Sequence, residues 1–195
     1  MSLAIDFRPP SSGLGDYPEK DLRGHEYGWY YRQALSRIQT ALSPESMAKT
    51  IPNYNATEGY EIKGMVWFQG WNDLFGGKWR EYERNLRNLI RDIRIDLDTP
   101  QMPVVVGELG QHGIAYEGSR QSSIIKASTI RMAQFSVCNS DEFANNTRFV
   151  FTSQYVDDSL RDLYQGMYHY YGRADTFVYI GRAFGYAMLE LLQAT

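Results

Sequence analysis

The sequence lacks several features that would identify a function directly. It contains a single cysteine, Cys138, which excludes an internal disulfide and a cysteine metal cage. It has only three histidines, and none is followed four residues later by Asp or Glu, so no zinc motif is present and we expect no metal. It has no signal peptide and no run of 18 apolar residues. We therefore expect no membrane span.

A strong excess of charge is also missing. The net charge of −3 and the pI near 5.6 leave no basic patch, which argues against nucleic acid or an anionic membrane as partner. At 195 residues, 43% of them apolar, the chain has the size and composition of one globular domain spanning residues 1–195. Fifteen tyrosines and four tryptophans would suit the binding of sugar rings, although core packing accounts for most of them.

The stretch from Gly64 to Asp73 is the one around which the rest can be organised. Its apolar run at 65–68 is typical of a buried strand and halts at Gln69-Gly70. In open α/β folds ligands bind at the carboxyl ends of strands, so Asn72 and Asp73 form a candidate site. The alternative is a turn in which both side chains only accept hydrogen bonds from nearby backbone amides.

The remaining patterns predict alternating helices and strands. Apolar residues spaced near 3.6 predict helices over 28–42, 78–97, 119–137 and 176–192. Continuous apolar runs predict further buried strands at 103–110 and 147–152. This alternation predicts an α/β fold, a three-layer α/β/α sandwich with a parallel sheet.

Three shorter segments are also predicted. We expect an extended piece at 3–7, a polar loop over 45–60 and an N-cap at Asp175 for the last helix. The charged residues of the helix over 78–97 are expected to form a solvated outer face.

Other polar residues are predicted to reach the same sheet edge as Asn72. Glu108, Gln111 and His112 follow the strand at 103–110, and His169 lies in the loop between the last strand and the last helix. Taken alone, a histidine among tyrosines is more often a packed or hydrogen-bonded residue than a base.

Two segments of the chain resemble the SGNH hydrolases, in the branch of sialate O-acetylesterases and acetylxylan esterases. Residues 70–73 (Gly-Trp-Asn-Asp) resemble the third block of that superfamily, and 66–70 its surroundings in this branch. The segments 169–172 (His-Tyr-Tyr-Gly) and 179–185 resemble the terminal segment, which carries the catalytic base.

The resemblance implies a flavodoxin-like SGNH hydrolase fold and a serine esterase that removes acetyl groups from a sugar or polysaccharide without a cofactor. It implies that Asn72 donates to the oxyanion and that His169 is the base. The residues expected to line the oxyanion or substrate site are Gln69, Gly70, Trp71 and Asp73, with Glu108 and Tyr170 as further possible lining residues. The same resemblance suggests a periplasmic or secreted location.

The chain departs from the family in two places. The segment 2–10 resembles the one that follows the second block, so the nucleophile block Gly-x-Ser is expected upstream of it. We therefore expect a partial domain whose first strand or strands are missing and which is inactive alone. The family's Asp three residues before the base is replaced by Gly166, which leaves Asp157, Asp158 and Asp162 as candidates to orient His169, or a dyad.

No serine in the chain stands in a motif that exposes a nucleophile. The candidates by composition alone are Ser11, Ser12, Ser119, Ser122, Ser123 and Ser153.

Two other functions and one further property are kept open. A non-catalytic relative could bind carbohydrate by stacking sugars on Trp71, Tyr170 and Tyr171. A glycoside hydrolase could use Asp73 and Glu108 as paired carboxylates across a cleft. The strands at 65–68 and 104–106 are both apolar, and whichever of them borders the missing segment would be left at the edge of the sheet and invite self-association.

Overall fold

Three parallel strands form the centre of the molecule. The computed structural model describes residues 1–15, 17–21, 24–111, 121–160 and 169–194. The strands lie in the order β1-β2-β3, with β1 pairing to β2 and β2 to β3. Their bounds are Met65–Trp67 for β1, Val104–Gly107 for β2 and Thr147–Val150 for β3.

Helices cover both faces of this sheet. Their bounds are Trp29–Ala41 for α1, Pro44–Thr50 for α2, Tyr82–Asp96 for α3, Gln121–Cys138 for α4 and Ala174–Gln193 for α5. Val104 and Val106 of β2 face the larger core, into which α3 and α4 pack. Val105 faces the opposite way and packs against α5. This alternation confirms the predicted α/β arrangement with a parallel sheet between helical layers.

The apolar stripe of the long helix α3 and one buried arginine fix the position of this helix on the sheet. Leu86 and Ile90 are fully buried against the sheet. Arg94 near its end donates from Nε to the carbonyl of Met102 at 3.1 Å and from Nη2 to Oδ1 of Asn146 at 2.7 Å. Because Met102 precedes β2 and Asn146 precedes β3, this arginine ties the helix to the start of two strands.

The first residues of the chain do not form the predicted extended piece. The amide of Phe7 donates to the carbonyl of Ser2 at 3.0 Å, so the segment folds into turns. Arg8, which is buried, donates to Ala4 O at 2.9 Å and pairs with Glu81 at 3.0 Å. Glu81 is therefore part of an intramolecular contact and not of the solvated outer face that was expected for it.

Two local predictions along the chain are wrong. The stretch expected to be a polar loop begins with α2, because the Ser43 side chain accepts a hydrogen bond from the amide of Ser46 and Pro44 occupies the first turn. Asp175 lies inside the first turn of α5 and not at the N-cap, which is Arg173. The Arg173 guanidinium binds the Asp175 carboxylate and lowers the pKa of Asp175 to about 2.

The strand β1 lies at one edge of the three-stranded sheet that the described residues form. On the α5 side its Val66 is 47% exposed, and Phe68 just beyond the strand is 36% exposed. Across the described ranges, no helix is both long and apolar enough to cross a bilayer.

Candidate functional site

A cavity of about 380 Å³ lies at the carboxyl edge of the sheet. It is lined from the ends of β1 and β2, from the turn that precedes α5 and from the first residue of the chain. The lining residues are Met1, Phe68, Gln69, Gly70, Trp71, Asn72, Glu108, Leu109, Gln111, His169, Tyr170 and Phe177. The sheet topology thus brings together Asn72 and His169, which are far apart in the sequence.

The turn after β1 carries Asn72. Gly70 begins it, and a Cβ at that position would lie only 3.3 Å from side-chain carbons of Ile130 and Leu109, so the turn packs closely on α4 and on the loop after β2. Asn72 follows in a short 3-10 turn, and its carbonyl accepts a hydrogen bond from Lys78 at 3.2 Å. Among the described residues nothing hydrogen-bonds its side-chain amide, which leaves that amide able to donate to a ligand in the cavity.

Asp73 lies beneath the cavity and not on its wall. The residue is fully buried, and its carboxylate accepts from the amides of Leu3 at 2.9 Å and Ala4 at 3.0 Å and from Gln69 Nε2 at 2.7 Å. Burial raises the pKa of Asp73, while the hydrogen bonds from these donors act to lower it. Its role is to fasten the first residues of the chain to the Asn72 turn.

A buried polar contact beneath Gln69 was not predicted from the sequence. Gln134 of α4 accepts a hydrogen bond from the amide of Leu109 at 2.8 Å and donates to the carbonyl of Gln69 at 3.0 Å. The hydroxyl of Tyr82 in α3 donates to the same carbonyl at 2.8 Å. Burial raises the pKa of Tyr82, so this hydroxyl stays protonated. The one sequence signal was Gln134 itself, a polar residue between the apolar residues Ala133 and Phe135 of α4.

Glu108 serves to join the ends of two strands. Its Oε2 accepts hydrogen bonds from the amides of Thr152 at 3.0 Å and Ser153 at 2.9 Å, and Arg131 lies 3.7 Å from its Oε1. Thr152 in turn shares a hydrogen bond of 2.7 Å with the hydroxyl of Tyr170, whose pKa burial raises to about 12. The carboxylates of Glu108 and Asp73 both accept hydrogen bonds from backbone amides. This disfavours the hypothesis that they act as the paired carboxylates of a glycoside hydrolase.

His169 lies on an exposed turn with unusual backbone geometry. His169, Tyr170 and Tyr171 all have positive φ, near 60°, 60° and 55°, in the left-handed region. Nδ1 of His169 lies 2.9 Å from Nε2 of Gln111, and the imidazole meets the Trp71 ring at 62° with 6.2 Å between centroids. Gln111 was predicted only to reach this edge, and its contact with His169 follows from the fold alone.

Other candidates are not brought to the cavity. Ser12 accepts a hydrogen bond from Asn88 at 3.0 Å, and Ser153 is buried at the Glu108 carboxylate. Asp157 accepts from Ser159 and lies 3.5 Å from Arg173. His112, Ser119, Asp162 and Gly166 lie outside the described residues, as does the side chain of Ser122.

Of the three rings on which a non-catalytic relative could stack sugars, those of Tyr170 and Tyr171 do not provide an exposed surface. Both residues are buried, 3% and 6% exposed, so neither can offer a ring face to a sugar. The exposed rings at the cavity are instead those of Phe68 and Phe177, beside the partly exposed Trp71. Within the part of the chain that the structure describes, no cluster of His, Cys, Asp and Glu is placed to hold a metal ion.

Comparison with known proteins identifies a family and a related fold. The profile of a carbohydrate esterase family, described as sialic acid-specific acetylesterase, matches residues 23–157. A protein of Arabidopsis thaliana, solved by X-ray crystallography at 1.6 Å, superposes with a TM-score of 0.52 at 20% identity. The match covers 83% of this chain and 52% of that one, so this chain spans about half of its length. A comparison with curated proteins found no match.

Proposed function

Since the chain belongs to the sialic acid-specific acetylesterase family of carbohydrate esterases, we propose that it acts in removing acetyl groups from sugars by serine-dependent acyl transfer. The observation that carries this proposal is that Asn72 and His169 line one cavity at the carboxyl edge of the sheet. An amide donor and an imidazole that line the same small cavity are two of the groups that serine-dependent acyl transfer requires, beside the nucleophile.

Each residue has a distinct role in the proposed reaction. A serine hydroxyl attacks the carbonyl carbon of the acetyl ester while His169 takes the hydroxyl proton. The Asn72 side-chain amide donates to the oxyanion that forms, and His169 then returns the proton to the departing sugar alcohol. Water hydrolyses the acetyl-enzyme by the same steps and releases acetate. The rings of Trp71, Phe68 and Phe177 give the sugar an apolar surface.

The proposal assigns the nucleophile to a serine outside residues 1–195, on a Gly-x-Ser block that joins the chain ahead of Met1. None of the described residues that line the cavity is a serine, threonine or cysteine. Met1 itself lines the cavity, and its carbonyl accepts a hydrogen bond of 3.0 Å from Gln69. A segment attached to Met1 would therefore enter beside Asn72 and His169.

The test compares residues 1–195 with a chain extended by the in-frame sequence encoded upstream of Met1, using hydrolysis of 4-nitrophenyl acetate and of acetylated xylan oligosaccharides. We expect background rates from residues 1–195 and turnover from the extended chain. In the extended chain His169→Ala should lower kcat by about 100- to 10,000-fold. Asn72→Ala should lower it by about 100- to 1000-fold, because one oxyanion donor is lost.

The exposed Gln154→Ala is a matched control, since among the described residues its side chain hydrogen-bonds only the nearby carbonyl of Phe151, at 2.9 Å. It should leave kcat unchanged. Turnover by residues 1–195 alone that disappears in His169→Ala and in one Ser→Ala variant of this chain would overturn the assignment of the nucleophile.

A non-catalytic carbohydrate-binding role is the second candidate. It is favoured by the exposed rings of Phe68 and Phe177 and the partly exposed ring of Trp71 around the cavity, which would serve binding without chemistry. An upstream sequence without a Gly-x-Ser block, together with calorimetric binding of acetylated oligosaccharides that is lost in Trp71→Ala, would select this role over the esterase.

A further inference from the structure

Gln111 contacts the one histidine that the proposed reaction uses. Its Nε2 lies 2.9 Å from Nδ1 of His169. Its own backbone carbonyl accepts from Arg131 Nη2 at 3.3 Å, and Arg131 Nε donates to the carbonyl of Leu109 at 2.7 Å. An arginine on α4 therefore holds the loop after β2 at the place where the Gln111 side chain reaches the imidazole.

A partner at Nδ1 decides which nitrogen of a neutral imidazole carries the proton. A group that accepts a hydrogen bond at Nδ1 keeps the proton there, and Nε2 then has the lone pair that a general base needs. A group that donates to Nδ1 has the opposite effect, because the ring proton then resides on Nε2. The partner of His169 at this nitrogen therefore controls whether the ring can act as a base through Nε2.

A glutamine can be either kind of partner. A half-turn of the amide exchanges its nitrogen and its oxygen at the same position. Oε1 of Gln111 is buried and has no hydrogen-bond partner among the described residues. A half-turn of the amide consequently breaks no other described hydrogen bond of this oxygen. The orientation of the Gln111 amide and the tautomer of His169 therefore change together.

The described acids near the edge of the sheet are engaged elsewhere. The carboxylate of Glu108 accepts from the amides of Thr152 and Ser153, and Asp157 binds Ser159 and lies near Arg173. The Gln111 amide lies at Nδ1 of His169, and after a half-turn its oxygen can accept the Nδ1 proton.

We infer that Gln111 is the positioning residue of His169 and that its amide oxygen accepts the Nδ1 proton in the tautomer used for catalysis. This inference rests on the proposed function in that it takes His169 as the base. It places an uncharged amide where serine hydrolases commonly have a carboxylate. The amide orients the imidazole and selects its tautomer, and it adds no negative charge beside the imidazolium.

The test reads the tautomer directly and needs no substrate. Residues 1–195 labelled with 15N are studied at pH 8 by long-range 1H–15N correlation, and the His169 signals are identified by their loss in His169→Ala. We expect His169 to carry its proton on Nδ1 in the unsubstituted protein. Gln111→Glu should retain that tautomer, because a carboxylate only accepts, whereas Gln111→Met should shift the proton to Nε2.

The thermal midpoint and the signals of His25 serve as controls that each variant is folded. His25 lies far from Gln111 in the sequence and stacks on Trp29. Gln154→Met, the same substitution at an exposed site that does not contact His169, should leave the His169 signals unchanged. A proton on Nε2 in the unsubstituted protein, or His169 signals that do not change in a folded Gln111→Met variant, would overturn the inference.

A kinetic arm separates this inference from the proposed function. In the extended, nucleophile-bearing chain, Gln111→Met should lower kcat by about 10- to 100-fold with little change in KM, and Gln111→Glu should restore it. If the tautomers are as expected but the extended chain shows no esterase activity, the proposed function is rejected and the role of Gln111 is retained. Esterase activity with kcat unchanged in Gln111→Met would retain the function and reject that role.

Discussion

The two halves of the site are held in place in different ways. The Asn72 arm, residues 69–74, is fixed from below by buried groups, because Asp73 binds two backbone amides and the carbonyl of Gln69 accepts from two side chains. The His169 arm, residues 169–172, is exposed at His169 and has a left-handed backbone. Its imidazole contacts the Gln111 side chain through Nδ1 and lies against the Trp71 ring.

Because of this difference, the position of Asn72 should depend on the stability of the fold, and the position of His169 on local geometry. The proposed oxyanion donor is positioned by contacts that also stabilise the domain, so it should be as rigid as the core. The proposed base lies on a short turn and is exposed, so we expect its position to be able to change without loss of the fold. Substitutions in the first arm should therefore affect stability, and those in the second should affect mainly the chemistry of the imidazole.

The largest expected effect is that of Asp73→Ala. The substitution leaves the amides of Leu3 and Ala4, both fully buried, without their acceptor, and it removes one of the two acceptors of the Gln69 side-chain amide. We expect a loss of about 2–4 kcal/mol in the free energy of unfolding, measured by denaturant titration. Asp73→Asn keeps the size and one acceptor oxygen and should lose about half as much. Equal stability of Asp73→Ala and the unsubstituted protein would show that the arm is not held from below.

Gln134→Leu should have the next largest effect. The leucine fills a similar volume but leaves the amide of Leu109 unpaired and removes one of the two donors to the carbonyl of Gln69. We expect about 1–3 kcal/mol of destabilisation by thermal unfolding. The exposed Gln39→Leu in α1 is the matched control and should change stability by less than about 0.5 kcal/mol. No difference between these two variants would contradict the proposed support of the arm by α4.

In the His169 arm, the backbone should matter more for stability than the side chain. His169 has φ 60° and ψ 69°, a conformation that costs an L-residue about 1 kcal/mol and glycine almost nothing. We expect His169→Gly to be more stable than His169→Ala by about 1 kcal/mol in thermal unfolding. A greater stability of the alanine variant would mean that the turn is not left-handed in solution.

The smallest effect on stability is expected at the outer side of β1, the strand that leads into the Asn72 arm. Its edge and the exposed Val66 offer a surface for pairing with a second copy of the chain, which we propose as a route of self-association. Val66→Lys should reduce light scattering at high protein concentration and change the free energy of unfolding by less than about 0.5 kcal/mol. Val178→Lys, at an exposed position of α5, is the control. Equal scattering by the two variants would reject this edge as the surface of association.

The sequence by itself determined most of the elements and predicted the two ends of the candidate site. Continuous apolar runs predicted β1, β2 and β3, and the spacing of apolar residues predicted α1, α3, α4 and α5. The short helix α2 was missed because its signal, Ser43 followed by Pro44, also reads as the end of α1. Since parallel strands end at the same edge, the sequence also predicted that Asn72 and His169 would lie together.

Only the tertiary structure decided which neighbouring side chains face the cavity and which support it. Asp73 was expected on the wall and is buried beneath it, because the amides of Leu3 and Ala4 approach it from a segment distant in the sequence. Gln134 and Gln111 act through contacts with residues 25 and 58 positions away. Contacts of this kind leave no periodicity in a sequence, because they depend on how separate elements pack and not on the pattern within any one of them.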